Sequence, residues 1–118
     1  MPQTFQQAAV GLALLVAGIA STHAEDAQTI EEGHRIALQV CALCHIVAAD
    51  QSRAPLLKPP APSFADVVER QDATQDWLRD FLAHPHGESR RESIMPPFVM
   101  SPSQIDAVVA YLLSLKRQ

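Results

Sequence analysis

The chain has 118 residues, 47% hydrophobic and 5% aromatic, with 13 Asp and Glu against 9 Lys and Arg for a net charge of −4. This length points to one domain. The acidic balance excludes a nucleic-acid partner, because phosphate binding needs a basic surface.

The chain opens on an apolar run, Ala8 to Ala20, that is too short for a comfortable membrane span. Thr22-His23-Ala24 then places small residues where a signal peptidase reads them. Residues 1–24 are therefore expected to be a signal peptide and 25–118 the mature domain. No Lys or Arg precedes the run, so its positive end is the terminal amine alone. A retained segment would make a membrane-tethered form.

Thr29-Ile30-Glu31-Glu32 has the form of a capping box and predicts a first helix from there to about Val40. Ile30, Ile36, Ala37 and Val40 have roughly helical spacing. Gly33 lowers helix propensity, and a glycine in that position often admits another backbone. The helix delivers the chain to Cys41-Ala42-Leu43-Cys44-His45. Two thiols and an adjacent imidazole at this spacing read as attachment of a c-type haem. Residues three and four apart share one face of a helical turn, so one turn can present both sulfurs and the imidazole. A redox disulfide, half a zinc site or a structural disulfide would use the cysteines. None of these accounts for His45, no strand–helix–strand pattern accompanies the pair, and there is no second Cys-x-x-Cys.

From Ile46 to Pro62 runs a connection with Pro55, Pro59, Pro60 and Pro62, expected to cover one haem edge. Ser63 predicts a cap for a short helix with Phe64, Val67 and Val68 on one side. Asp72 or Thr74 predicts the cap of the next, which carries Trp77, Leu78, Phe81 and Leu82 and stops before Pro85. Trp77 is read as a packing residue of that stripe. A polar loop, His84 to Ser93, follows with Arg90 and Arg91, read as solvated. The last helix has Ser101 as cap, Pro102 in its first turn and Gln104 completing a box. Its stripe is Ile105, Val108, Val109, Leu112 and Leu113, and Lys116 and Arg117 suit its negative end. The mature chain buries a limited core, so haem-free protein is expected to be marginal or unfolded.

An iron held by His45 has a second open face. Met95 and Met100 are the methionines of the mature chain, and Met95 precedes the stiffening pair Pro96-Pro97. Methionine is by default a gap-filling core residue. Next to a haem motif, Met95 becomes the leading candidate for sixth ligand, ahead of Met100, His84 and His86.

These features together resemble the small, single-haem bacterial class I c-type cytochromes along nearly the whole mature chain. Gly33 lies eight positions before Cys41, as the family's first-helix glycine does. Cys41, Cys44 and His45 match the attachment motif. Ala61-Pro62-Ser63-Phe64 resembles the turn whose proline carbonyl accepts a bond from the proximal histidine. Ile94-Met95-Pro96-Pro97-Phe98 resembles the Met-Pro ligand loop, and Ala110-Tyr111-Leu112 the C-terminal helix ending. One departure is Ala37, where many members carry an aromatic residue, which predicts a less filled helix crossing.

The resemblance implies an all-α cytochrome c fold in which N- and C-terminal helices cross, Gly33 facing the neighbourhood of Tyr111. Loops and two shorter helices would enclose one covalent haem c. It implies His45 and Met95 as axial ligands, with Pro62 supporting His45. It also implies export to the periplasm and a monomeric, non-enzymatic electron carrier with transient redox partner proteins. Two alternatives stand beside it. One is a haem-based sensor or peroxidase-like enzyme with a displaceable sixth ligand. The other is a dedicated electron-accepting subunit of a dehydrogenase.

Overall fold

The computed structural model describes residues 26–84 and 95–116. The expected signal peptide, His86, and Arg90 and Arg91 lie outside them. Four helices carry the described fold: α1 over 26–40, α2 at Phe64–Glu69, α3 at Gln75–Ala83 and α4 at Pro102–Leu115. The haem motif begins as a 3-10 turn, Cys41–Leu43, that continues α1. The described residues contain no strand, only an isolated parallel bridge between His45 and Ala61.

Local chemistry explains most helix ends. Ser63 caps α2 through its side chain, which accepts from the Asp66 N–H at 3.1 Å. Thr74, not Asp72, caps α3, taking the Trp77 N–H at 3.2 Å. Asp72 is engaged instead by Arg70. At α4 the full capping box forms: Gln104 N–H donates to Ser101 Oγ, and Ser101 N–H donates to Gln104 Oε1 at 2.9 Å.

The first helix differs from expectation. Thr29 lies inside α1, which already includes Asp26. The Glu32 carboxylate that a capping box would send back to residue 29 binds Arg35 instead, at 2.8 Å from Nε. Thr-x-x-Glu fits a helix interior as well as a start, because i,i+3 pairing with a downstream arginine competes for the glutamate.

The core gathers on α4, which packs on both α2 and α3. Ile105, Ala107, Val108, Val109, Tyr111 and Leu112 are buried there. Leu113, expected in the stripe, is only half-buried. Ala107, not expected in it, is buried because α1 crosses at that point. Gly33 is buried, and a Cβ placed on it would overlap the Ala107 carbonyl and come within 2.9 Å of the Tyr111 Cβ. The two helices thus approach backbone to backbone where only glycine fits. Ala37, one turn on, is fully buried, so the crossing closes over it without an aromatic side chain.

Tyr111 ties this crossing to the haem motif. Its hydroxyl donates to the Val47 carbonyl at 2.8 Å, two residues beyond His45. Its ring lies 4.9 Å from that of His34 on α1, and the His34 Nε2 is 3.1 Å from Asp50 Oδ1. Burial pushes the Tyr111 phenol above its ordinary range, and the charge of Asp50 adds to this.

Two outcomes follow from this packing. Gly33→Ala should lower stability by about 1–3 kcal/mol or more, measured by denaturant unfolding, because a backbone carbonyl must move. The raised phenol means folding favours protonated Tyr111. Its contribution is complete below about pH 10 and is lost as pH rises through the raised value. Unfolding midpoints taken upward from about pH 8 should fall more steeply in the wild type than in Tyr111→Phe.

Candidate functional site

A hollow of about 760 Å³ opens among the described residues. This lies inside the range of about 300–1,000 Å³ typical of cofactor pockets. Its wall is mostly apolar, with Val40, Phe64, Leu78, Leu82, Phe98 and Leu112 contributing. Cys41, Cys44, His45, Pro62 and Met95 all line this same cavity. They arrive from three places: the turn that ends α1, the return of the long loop before α2, and the segment before α4. Met100 and His84 do not line it; His84 is exposed, with Asp80 at 3.3 Å.

The loop after the motif folds back onto it. Leu56 N–H donates to Leu43 O, Ala61 N–H to Cys44 O and Phe64 N–H to Ile46 O, each at 2.9 Å. Four prolines leave this stretch unable to build its own ladder, and its Leu56 and Ala61 N–H groups bond the motif turn instead. Leu57 and Ala61 therefore stand on the cavity wall, where the sequence analysis expected this loop.

His45 has a defined tautomer. Its Nδ1 lies 2.6 Å from the Pro62 carbonyl oxygen. A carbonyl can only accept, so Nδ1 carries the proton and donates. The Nε2 of a neutral imidazole then keeps its lone pair, which is the state a metal ligand needs. Phe64 packs against the ring with centroids 5.7 Å apart and planes at 60°, and Phe64 in turn faces Tyr111 at 6.3 Å.

Both cysteines are free, Cys41 buried and Cys44 half-buried. Burial pushes the Cys41 thiol up to about 11, with Cys44 adding to the shift. At neutral pH it is a thiol and an unsuitable redox nucleophile. That disfavours the dithiol-exchange reading of Cys-x-x-Cys. No cluster of three or more His, Cys, Asp or Glu side chains forms a metal site among the described residues. His45 and Met95 line the cavity together with the two cysteines and the Asp66 and Asp72 carboxylates, and Asp66 and Asp72 are engaged by Ser63 and Arg70.

The rim is polar and ordered. Arg70 donates to both oxygens of Asp72 at 2.9 Å and lies 5.2 Å from the Trp77 ring centroid. Trp77 stacks on Phe81 at 5.2 Å. The guanidinium holds the Asp72 carboxyl below its ordinary range. Trp77 thus packs between Phe81 and Arg70, and it also lines the cavity.

The residues present fit a planar apolar group with a metal at its centre: a cavity of adequate size, two thiols, an imidazole and a thioether. Residues 30–116 match the family model for Cytochrome c. The chain belongs to the cytochrome c family. It is 33% identical over 106 residues to Cytochrome c-552 of Bradyrhizobium diazoefficiens, covering 90% of this chain and 93% of the relative. No solved structure matches it significantly. It is a small class I c-type cytochrome of the bacterial kind, with the all-α fold of that family, and an electron-transfer haem protein. Its cofactor is haem c, covalently attached.

When bound, the haem supplies a one-electron iron couple. The chain's own residues supply the rest. His45 would present Nε2, because its Nδ1 proton is directed to the Pro62 carbonyl. The mostly apolar wall would lower the polarity around a bound group. Cys41 and Cys44 provide the two sulfurs of the cytochrome c motif.

Sequence reasoning passed over His34, Asp50 and Gln51. All three look like solvated polar residues when read one at a time. The only signal in the sequence was their position close to the motif, in the preceding helix and in the following loop.

Replacing both Cys41 and Cys44 by Ala should abolish haem that survives denaturing electrophoresis, read by haem staining. Each single replacement should leave some.

Proposed function

We propose that the mature chain is a free periplasmic electron carrier with His45 and Met95 as axial ligands of one haem. Cys41 and Cys44 form the thioethers and Pro62 orients His45. The observation that carries this reading is the convergence of His45 and Met95 on one apolar cavity, with the Nδ1 proton of His45 directed to the Pro62 carbonyl. A thioether opposite imidazole favours reduced iron and raises the potential. An iron whose two faces are filled by protein changes little on gaining an electron, which suits a carrier better than a sensor or peroxidase. His84 or His86 would be the acid–base group of such an enzyme; His84 does not line the cavity, and His86 lies outside the described residues.

Residues 1–24 act as an export signal and are removed, leaving a monomeric domain, 25–118. No helix among the described residues is long and apolar enough to cross a membrane. Partners are redox proteins met transiently over a small interface. The chain itself catalyses no bond making.

Absorption spectra of the exported protein, oxidised and reduced, test this reading. The wild type should be low-spin in both states, with the weak far-red band of methionine–iron(III). Met95→Ala should lose that band and turn high-spin or bind added imidazole. A wild type that is high-spin, or that binds carbon monoxide without hindrance, would overturn the assignment and favour the sensor or enzyme.

A further inference from the structure

Gln51 lies in the proline-rich loop, half-buried, and its side-chain amide is fully engaged with backbone. Its Oε1 accepts from the Val47 N–H at 2.9 Å. Its Nε2 donates to Arg53 O at 2.8 Å and also faces His45 O at 3.3 Å and Ala42 O at 3.4 Å. These polarities fix the orientation of the amide. Val47 N–H can only donate and the three carbonyls can only accept, so oxygen and nitrogen cannot be exchanged. One hydrogen goes to Arg53 and the other is shared between Ala42 and His45.

The partners are not scattered. Ala42 lies within the haem motif, His45 ends it, and Val47 is the residue whose carbonyl receives Tyr111. A single side chain therefore closes the turn that follows the imidazole, by bonding backbone on both sides of Ile46. His45 is then held at two points. Pro62 fixes the ring through Nδ1, and Gln51 fixes the main chain from which the ring projects. Backbone bonds from Leu56, Ala61 and Phe64 hold Leu43, Cys44 and Ile46, and Gln51 adds its bonds at the His45 carbonyl and the Val47 N–H.

We propose that Gln51 is a positioning residue for the haem ligand His45, setting the ring's angle by clamping backbone 42–47. This rests on His45 being an axial ligand. The clamp reads out on the imidazole itself, beyond any effect on stability.

The test compares holoprotein carrying Gln51→Met and Gln51→Glu with the wild type. Methionine keeps the length and lacks the donors and the strong acceptor. Glutamate keeps the acceptor for Val47 but turns a carboxylate oxygen towards three carbonyl oxygens. Proton NMR of the oxidised proteins reports the paramagnetically shifted His45 ring signals, and hydrogen exchange reports the Val47 amide. The His45 signals should move in both variants, further in Gln51→Glu. The Val47 amide should exchange at least about tenfold faster in Gln51→Met. Unmoved His45 signals in both folded variants would overturn the clamp, whatever happens to stability. A wild type without shifted His45 ring signals would instead show that the axial assignment itself is wrong.

Discussion

Gly33 brings the backbone of α1 against the Ala107 carbonyl of α4, and the position of the haem-binding turn follows from that contact. The turn Cys41–Leu43 continues α1, so the crossing angle of α1 sets where the cysteines face. The same stretch of α4 carries Tyr111, whose hydroxyl holds Val47, and Leu112, which stands on the cavity wall. A side chain at position 33 would push α1 away and move the motif relative to every other wall of the pocket. Close helix approach and cofactor geometry are one constraint here.

The two sides of the cavity are built differently. On the histidine side, backbone bonds from Leu56, Ala61 and Phe64, the Pro62 carbonyl and the Tyr111 hydroxyl all converge on residues 43–47. Little of this uses a regular element; it is a loop made stiff by bonding to another loop. On the methionine side, Met95 enters from an irregular segment that two prolines restrict before Ser101 starts α4. Such rigidity would suit the proposed ligand role of His45, because the Pro62 acceptor keeps a proton on Nδ1 and favours a free Nε2.

Much of this was legible in the chain. Caps at Ser63 and Ser101 are local chemistry, and local patterns predict them well. Gly33 and Tyr111 could be paired only through resemblance, since nothing in a helical period says which partner a glycine admits. Thr29 misled because a capping box and an i,i+3 ion pair use the same residue types, and Arg35 decided between them. Ala107 escaped the apolar stripe because its burial comes from the glycine opposite it. Gln51, Asp50 and His34 were invisible for another reason. A polar side chain acquires structural meaning only when the fold places backbone groups or a partner around it, and no spacing rule encodes that.

The Tyr111–Val47 bond joins residues 64 positions apart, and it lies between the attachment motif and the end of the chain. The stretch of chain between them carries α2, α3 and Met95, all of which contribute to the cavity wall. A single hydroxyl therefore closes the chain into a ring around the cavity, and the pocket's outline depends on a bond that touches none of its lining atoms directly.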